Sequence, residues 1–114
     1  MGKTVEYFKP WMHDSITYKG VVSNDGAQII FASDGVEITE CYIVGDITLI
    51  TDNKGKEVVS NQQIYLDGIN SDVVTIIDDN GSGIIVINDR NRKIQKINAM
   101  KDEDGNYDLV VVYL

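Results

Sequence analysis

Cysteine, histidine, proline and tryptophan each occur once in the 114 residues. No run approaches the roughly 18 consecutive apolar residues of a membrane helix. A lone Cys41 excludes an internal disulfide and fits a reducing compartment. Within the strand read over Ile38 to Val44 it reads as a small buried hydrophobe, since nothing nearby in sequence would lower its pKa. His13 is followed by Asp14 and Ser15, but a Ser-His-Asp device needs its groups facing one another in space, which adjacency does not provide. One histidine and one cysteine without ligand spacing do not make a zinc site. Gly2-Lys3-Thr4 has the end of a phosphate loop without its upstream glycine and strand. The start Met1 to Glu6 lacks the apolar stretch of a signal peptide, so the chain is expected neither to be secreted by that route nor to span a membrane.

Positive charge is scarce as well. Ten lysines and arginines face 18 carboxylates, a formal charge of −8 shared equally between the two halves. An acidic whole repels phosphate and disfavours ordinary nucleic-acid binding. The cluster Arg90, Arg92, Lys93 and Lys96 is the exception, read as a solvated turn and strand face. The acidic stretches Asp78 to Gly81 and Asp102 to Asn106 lack the order of a calcium-binding EF-hand and read as hairpin turns. Catalytic residues, metals and cofactors are therefore expected to be none. A pocket joining Asp52, Glu57 and His13 would favour an enzyme.

What the chain does have is turn chemistry. Asp25-Gly26, Asp34-Gly35, Lys54-Gly55, Asp67-Gly68, Asn80-Gly81 and Asp104-Gly105 are pairs that tolerate positive φ and let strands reverse. Between them, strands are expected near Thr4–Phe8, Ser15–Val22, Ala27–Phe31, Val36–Val44, Ile47–Thr51, Gln63–Asp67, Val73–Ile77, Gly83–Ile87, Lys93–Met100 and Tyr107–Tyr113. Pro10 marks the exit from the first. No stretch holds a sustained helical period. The pattern predicts a single all-β domain over residues 1–114, a small antiparallel barrel or sandwich with a long inter-strand loop. Leu109 to Leu114, apolar to its last residue, is expected to be a central strand or one covered by another copy of the protein.

The second half also has a recognisable order. Gly55-Lys56-Glu57-Val58-Val59-Ser60 runs into a strand Gln63 to Leu66, and the chain closes on Val110-Val111-Val112-Tyr113-Leu114 after an Asp-x-Asp-Gly turn. Over residues 36–114 this resembles the small head-tail connector proteins of long-tailed bacteriophages, also called head-closure or stopper proteins. The chain departs from them in its apolar Ile47 to Thr51, where members usually place charges.

The resemblance implies a non-catalytic virion component assembled in the host cytoplasm. It would form a homo-oligomeric ring in the virion around the DNA channel, the isolated chain being compatible with a monomer, with the portal or its adaptor above, the tail below and DNA only as passing cargo. It implies a channel loop at Thr51 to Asn61, here Asp52, Asn53, Lys54, Gly55, Lys56 and Glu57. Lys54 to Lys56 would form a mobile tip, and Asp52 and Glu57 would supply salt bridges between copies; a plain solvated hairpin turn is the other reading of the same residues. Tyr7, Phe8, Trp11 and Tyr113 are candidates for ring or neck contacts, because large aromatics dominate interfaces. The alternative is a small acidic phage or bacterial module that binds and inhibits a host protein.

Overall fold

A computed structural model describes residues 3–24, 28–52 and 54–114. A first helix α1 (Lys3–Phe8) leads through a 3-10 turn (Lys9–Trp11) into β1 (Asp14–Lys19), β2 (Val21–Asn24) and β3 (Ile29–Phe31). Then come β4 (Val36–Val44), β5 (Thr48–Thr51), β6 (Glu57–Ser60) and β7 (Gln63–Asp67). A second helix α2 (Ser71–Asp78) precedes β8 (Ile84–Ile87), β9 (Arg90–Lys93), β10 (Lys96–Lys101) and β11 (Tyr107–Tyr113).

Seven strands form one antiparallel sheet in the order β10-β11-β7-β4-β1-β8-β9, curled into a half-barrel. The curl follows from the chain itself. The two edge strands, β9 and β10, are consecutive and joined only by Ile94 and Gln95. In a flat sheet their edges would lie roughly 29 Å apart, but the link from Lys93 to Lys96 spans at most about 11 Å. Ile94 is buried in the core, and the Gln95 N–H donates to the Tyr113 carbonyl at 2.8 Å, extending the β10–β11 ladder. The continuous strand expected over Lys93–Met100 is therefore broken where the chain changes edges.

Period-two alternation sorts the side chains into two cores. Ile16, Tyr18, Ile38, Cys41, Ile64, Leu66, Ile85, Val110, Val112 and Leu114 make the inner one, which α2 plugs with Val73 and Ile76. Leu109 and Val111 point the other way, where α1 and the residues after it cover them with Val5 and Met12. The C-terminal strand is central, between β10 and β7, and its second face is covered by the protein's own N-terminus rather than by another copy.

Two segments expected as strands are helices. Val73–Ile77 is β-branched, yet Asn70 caps it by accepting the Asp72 N–H at 2.9 Å, and Asn80 and Gly81 end it at positive φ. Val73 and Ile76 then fall on one helical face, both fully buried. Thr4–Phe8 is likewise helical, and Pro10 lies in the first turn of the 3-10 segment, where its missing N–H costs nothing.

The remaining strands pair as two ribbons outside the main sheet, β2 with β3 and β5 with β6. They leave opposite ends of β4, which begins where the first ribbon ends and finishes where the second begins. The turn Asp25-Gly26 and the start of the expected strand at Ala27 lie outside the described residues.

Candidate interaction surfaces

The excursion expected as a loop over Thr51–Asn61 is the turn and returning strand of a β-ribbon. Thr48, Leu49, Ile50 and Thr51 pair with Ser60, Val59, Val58 and Glu57, so only residues 52–56 form a turn. Asp52 organises that turn. Its Oδ1 accepts the Lys54 and Lys56 N–H groups, both at 2.9 Å, while its own N–H donates to the Lys56 carbonyl at 2.8 Å. These backbone donors, that of Lys56 first, hold the Asp52 carboxyl below its ordinary range. Gly55 takes φ +80, which a side chain would resist. The turn is thus tied at both ends, with Asp52 Oδ1 engaged inside it. Asn53 lies outside the described residues. Glu57 is exposed at the start of β6.

Alternation gives the ribbon two faces. Ile47, Leu49 and Val59 project into solvent with exposures of 83%, 64% and 58%. Ile50 and Val58 turn the other way and are half-buried. The apolar stretch before the turn is therefore an outward-facing patch on an exposed arm, the kind of surface that marks a contact site. The other ribbon, β2–β3, also exposes Val22, Ile29 and Ile30.

Behind the β5–β6 arm lies an open groove of about 750 Å³, lined by Asp52, Lys54, Lys56 and Val58 of the arm, by residues 80–82 and by Arg92 to Gln95. Its base is cross-braced. Arg92 donates to the Gln62 side-chain oxygen at 2.8 Å and to that of Asn61 at 2.6 Å, and Gln95 donates to the Val59 carbonyl at 3.0 Å. Four cations thus meet one carboxylate that is already engaged. Sequence distance concealed this grouping, because Lys54 and Lys56 are far along the chain from Arg92 and Lys93.

Three of the four expected contact aromatics come together. Tyr7, Phe8 and Trp11 stack edge to face with ring centroids 5.2 to 5.8 Å apart. Phe8 meets Tyr65 at 4.9 Å and Trp11 meets Tyr42 at 6.2 Å. Tyr7 and Trp11 remain 67% and 46% exposed, so the outer rim of the cluster faces solvent. Tyr113 lies apart in the sequence and packs against the outer core at the end of β11. Tyr42 and Tyr65, which sequence reasoning passed over, complete the cluster as a directly opposed cross-strand pair, and their alternation with Ile43 and Ile64 was the readable signal.

The remaining ionisable groups with clear environments serve the architecture. Lys9 bridges Asp67 at 2.7 Å and Glu40 at 3.2 Å; the Asp67 bond chiefly raises its pKa. Tyr18 donates its hydroxyl to Asp79, and burial first, then that bond, pushes the phenol well above its ordinary value. Burial likewise pushes the Cys41 thiol up to about 12. Among the described residues no three histidine, cysteine or carboxylate side chains are grouped to hold a metal ion, and the groove includes neither His13 nor Glu57. No family model matches the chain, and neither a curated protein nor a solved structure shows significant similarity to it.

Proposed function

We propose that the protein is a head-tail connector of a long-tailed bacteriophage, a stopper that assembles as a ring below the portal, closes the DNA channel and receives the tail. The observation that carries this reading is the β5–β6 arm, a braced ribbon with a rigid turn at its tip and an unpartnered apolar face of Ile47, Leu49 and Val59. Burying such a face needs a partner, because each large apolar side chain removed from water contributes about 2 kcal/mol. A second exposed apolar ribbon leaves the other end of β4, so the molecule offers separate contacts at two ends, as a part between portal and tail requires. The likeness of Gly55 to Leu66 and of Val110 to Leu114 to connector sequences supports the same conclusion. The net charge of −8 suits a conduit along which DNA slides without adhering.

The test uses DNA-filled heads that carry the portal but lack this component. Added protein should bind the portal vertex, appear there as a ring by electron microscopy and protect the packaged DNA from leakage and nuclease. Heads that neither bind it nor retain their DNA would refute the proposal.

A further inference from the structure

Two turns of this protein are built to one plan and carry opposite charge. In the turn between β10 and β11, Asp102 Oδ1 accepts the Asp104 and Asn106 N–H groups at 2.9 and 3.0 Å, its N–H donates to the Asn106 carbonyl at 2.8 Å, and Gly105 has φ +83. This matches the Asp52 turn bond for bond. Where Lys54 and Lys56 stand in one, Asp104 and Asn106 stand in the other, with Glu103 beside them. Residues 54–56 of one turn and 103–106 of the other are exposed.

They also sit at opposite ends of one strand pair. β11 runs antiparallel to β7, so the acidic turn lies beside Gly68 past the end of β7, while the β5–β6 arm departs before Gln63 at its start. Charge is segregated to match. Residues 52–57 and 90–96 hold six of the ten cations and two carboxylates, leaving four cations against sixteen carboxylates on the rest of the chain. Among the described residues the ion pairs are those of Lys9, so no carboxylate lies within ion-pair distance of the charged groups of Lys54, Lys56, Arg92 or Lys93, and Asp52 meets the two lysines through their backbone N–H groups.

We infer that the groove formed by Lys54, Lys56, Arg92 and Lys93 receives the acidic Asp102–Asn106 turn of a second copy of this chain. A repeated head-to-tail contact of this kind is heterologous, the geometry from which closed rings are made. The occupant is an acidic turn and not a nucleic-acid duplex, because the chain as a whole carries a net charge of −8 and repels phosphate, whereas the Asp102–Asn106 turn matches the four cations locally. Both surfaces are held rigid by internal hydrogen bonds, which lowers the ordering cost of association. The contact would also neutralise the lysines at the arm's tip. It rests on the ring assembly proposed above, but its first test needs neither portal nor heads.

Sedimentation and zero-length carbodiimide cross-linking of the purified chain at about 1 mM read the contact directly. Wild type should self-associate at about 0.05 M salt, dissociate at about 0.5 M, and give cross-links from Lys54 or Lys56 to Glu103 or Asp104. K54E/K56E and E103K/D104K should each weaken association about tenfold or more, while an equimolar mixture of the two restores it, since each then meets an opposite charge. Circular dichroism should show both variants folded, as all four positions are exposed. A wild type that stays monomeric, cross-links confined to other pairs, or a mixture that fails to recover would overturn the inference, as would a short DNA duplex competing for the groove lysines. If E103K/D104K still docks on the portal as a complete ring, this contact fails and the connector reading stands.

Discussion

The carboxylate of Asp108 accepts the backbone N–H of Val5 at 2.8 Å across 103 residues of sequence, and that of Thr4 at 3.2 Å. Helix α1 has a free first turn, as every helix does, and a buried strand residue from the far end of the chain satisfies it. In return Val5 and Met12 cover the outer face of β11. This bond explains why a short segment docks as a helix when its residues favour a strand.

Asp108→Ala should cost about 2 kcal/mol, because it leaves the buried Val5 N–H and the partly buried Thr4 N–H short of an acceptor. Urea unfolding reads the loss, and hydrogen exchange at Val5 should accelerate more than at Val112. Equal protection at Val5 in both proteins would show that α1 is held some other way.

Ile76→Ala empties part of the half-barrel. Ile76 is fully buried among the inner core side chains, so a loss of about 3 kcal/mol is expected from lost burial plus the cavity. A change below about 1 kcal/mol would mean that α2 is not a plug.

Gly83→Ala tests close packing. A Cβ there would stand 2.6 Å from the Lys19 carbonyl oxygen and collide with the Tyr18 ring. The strand pair β1–β8 has no room to part while Tyr18 is bonded to Asp79. The expected penalty is about 2 kcal/mol, read as a lower thermal midpoint; an unchanged midpoint would contradict the packing described.

Stability should fall in alkali. The Cys41 thiol stands at about 12 in the fold against an ordinary 9.0, and the Tyr18 phenol stands above its ordinary 10.0. The folded chain keeps these protons after the unfolded chain has lost them, so their contribution is complete below pH 9 and declines as pH rises through the folded values. Urea midpoints at about pH 8, 9.5 and 10.5 should decrease in turn, and Cys41→Ala should flatten the first interval. A wild-type midpoint constant across the series would count against both burial effects.

Replacing Ile47, Leu49 and Val59 together by threonine removes the apolar face of the arm without touching the core. Because all three are exposed, stability should stay within about 0.5 kcal/mol, while docking on the portal should weaken at least tenfold. Undiminished docking would assign the neck contact to another surface.

Sequence alone determined the elements whose conformation is decided by neighbouring residues. The β10–β11 hairpin and the Asp-to-Gly turns follow from φ preferences and strand propensity, which act over a few residues; the alternation expected from Val36 to Thr39 does not hold, since Val36 is exposed while Ile38 is buried. The tertiary structure decided what depends on burial between distant segments. Val73 to Ile77 and Thr4 to Phe8 could form either element, and each became a helix because the curled sheet offered a cavity to one and Asp108 to the other. It likewise brought Lys54 and Lys56 to Arg92 and Lys93, and Tyr42 and Tyr65 to Trp11 and Phe8. Those groupings arise from strand order, and strand order is set by contacts that no local window of residues contains.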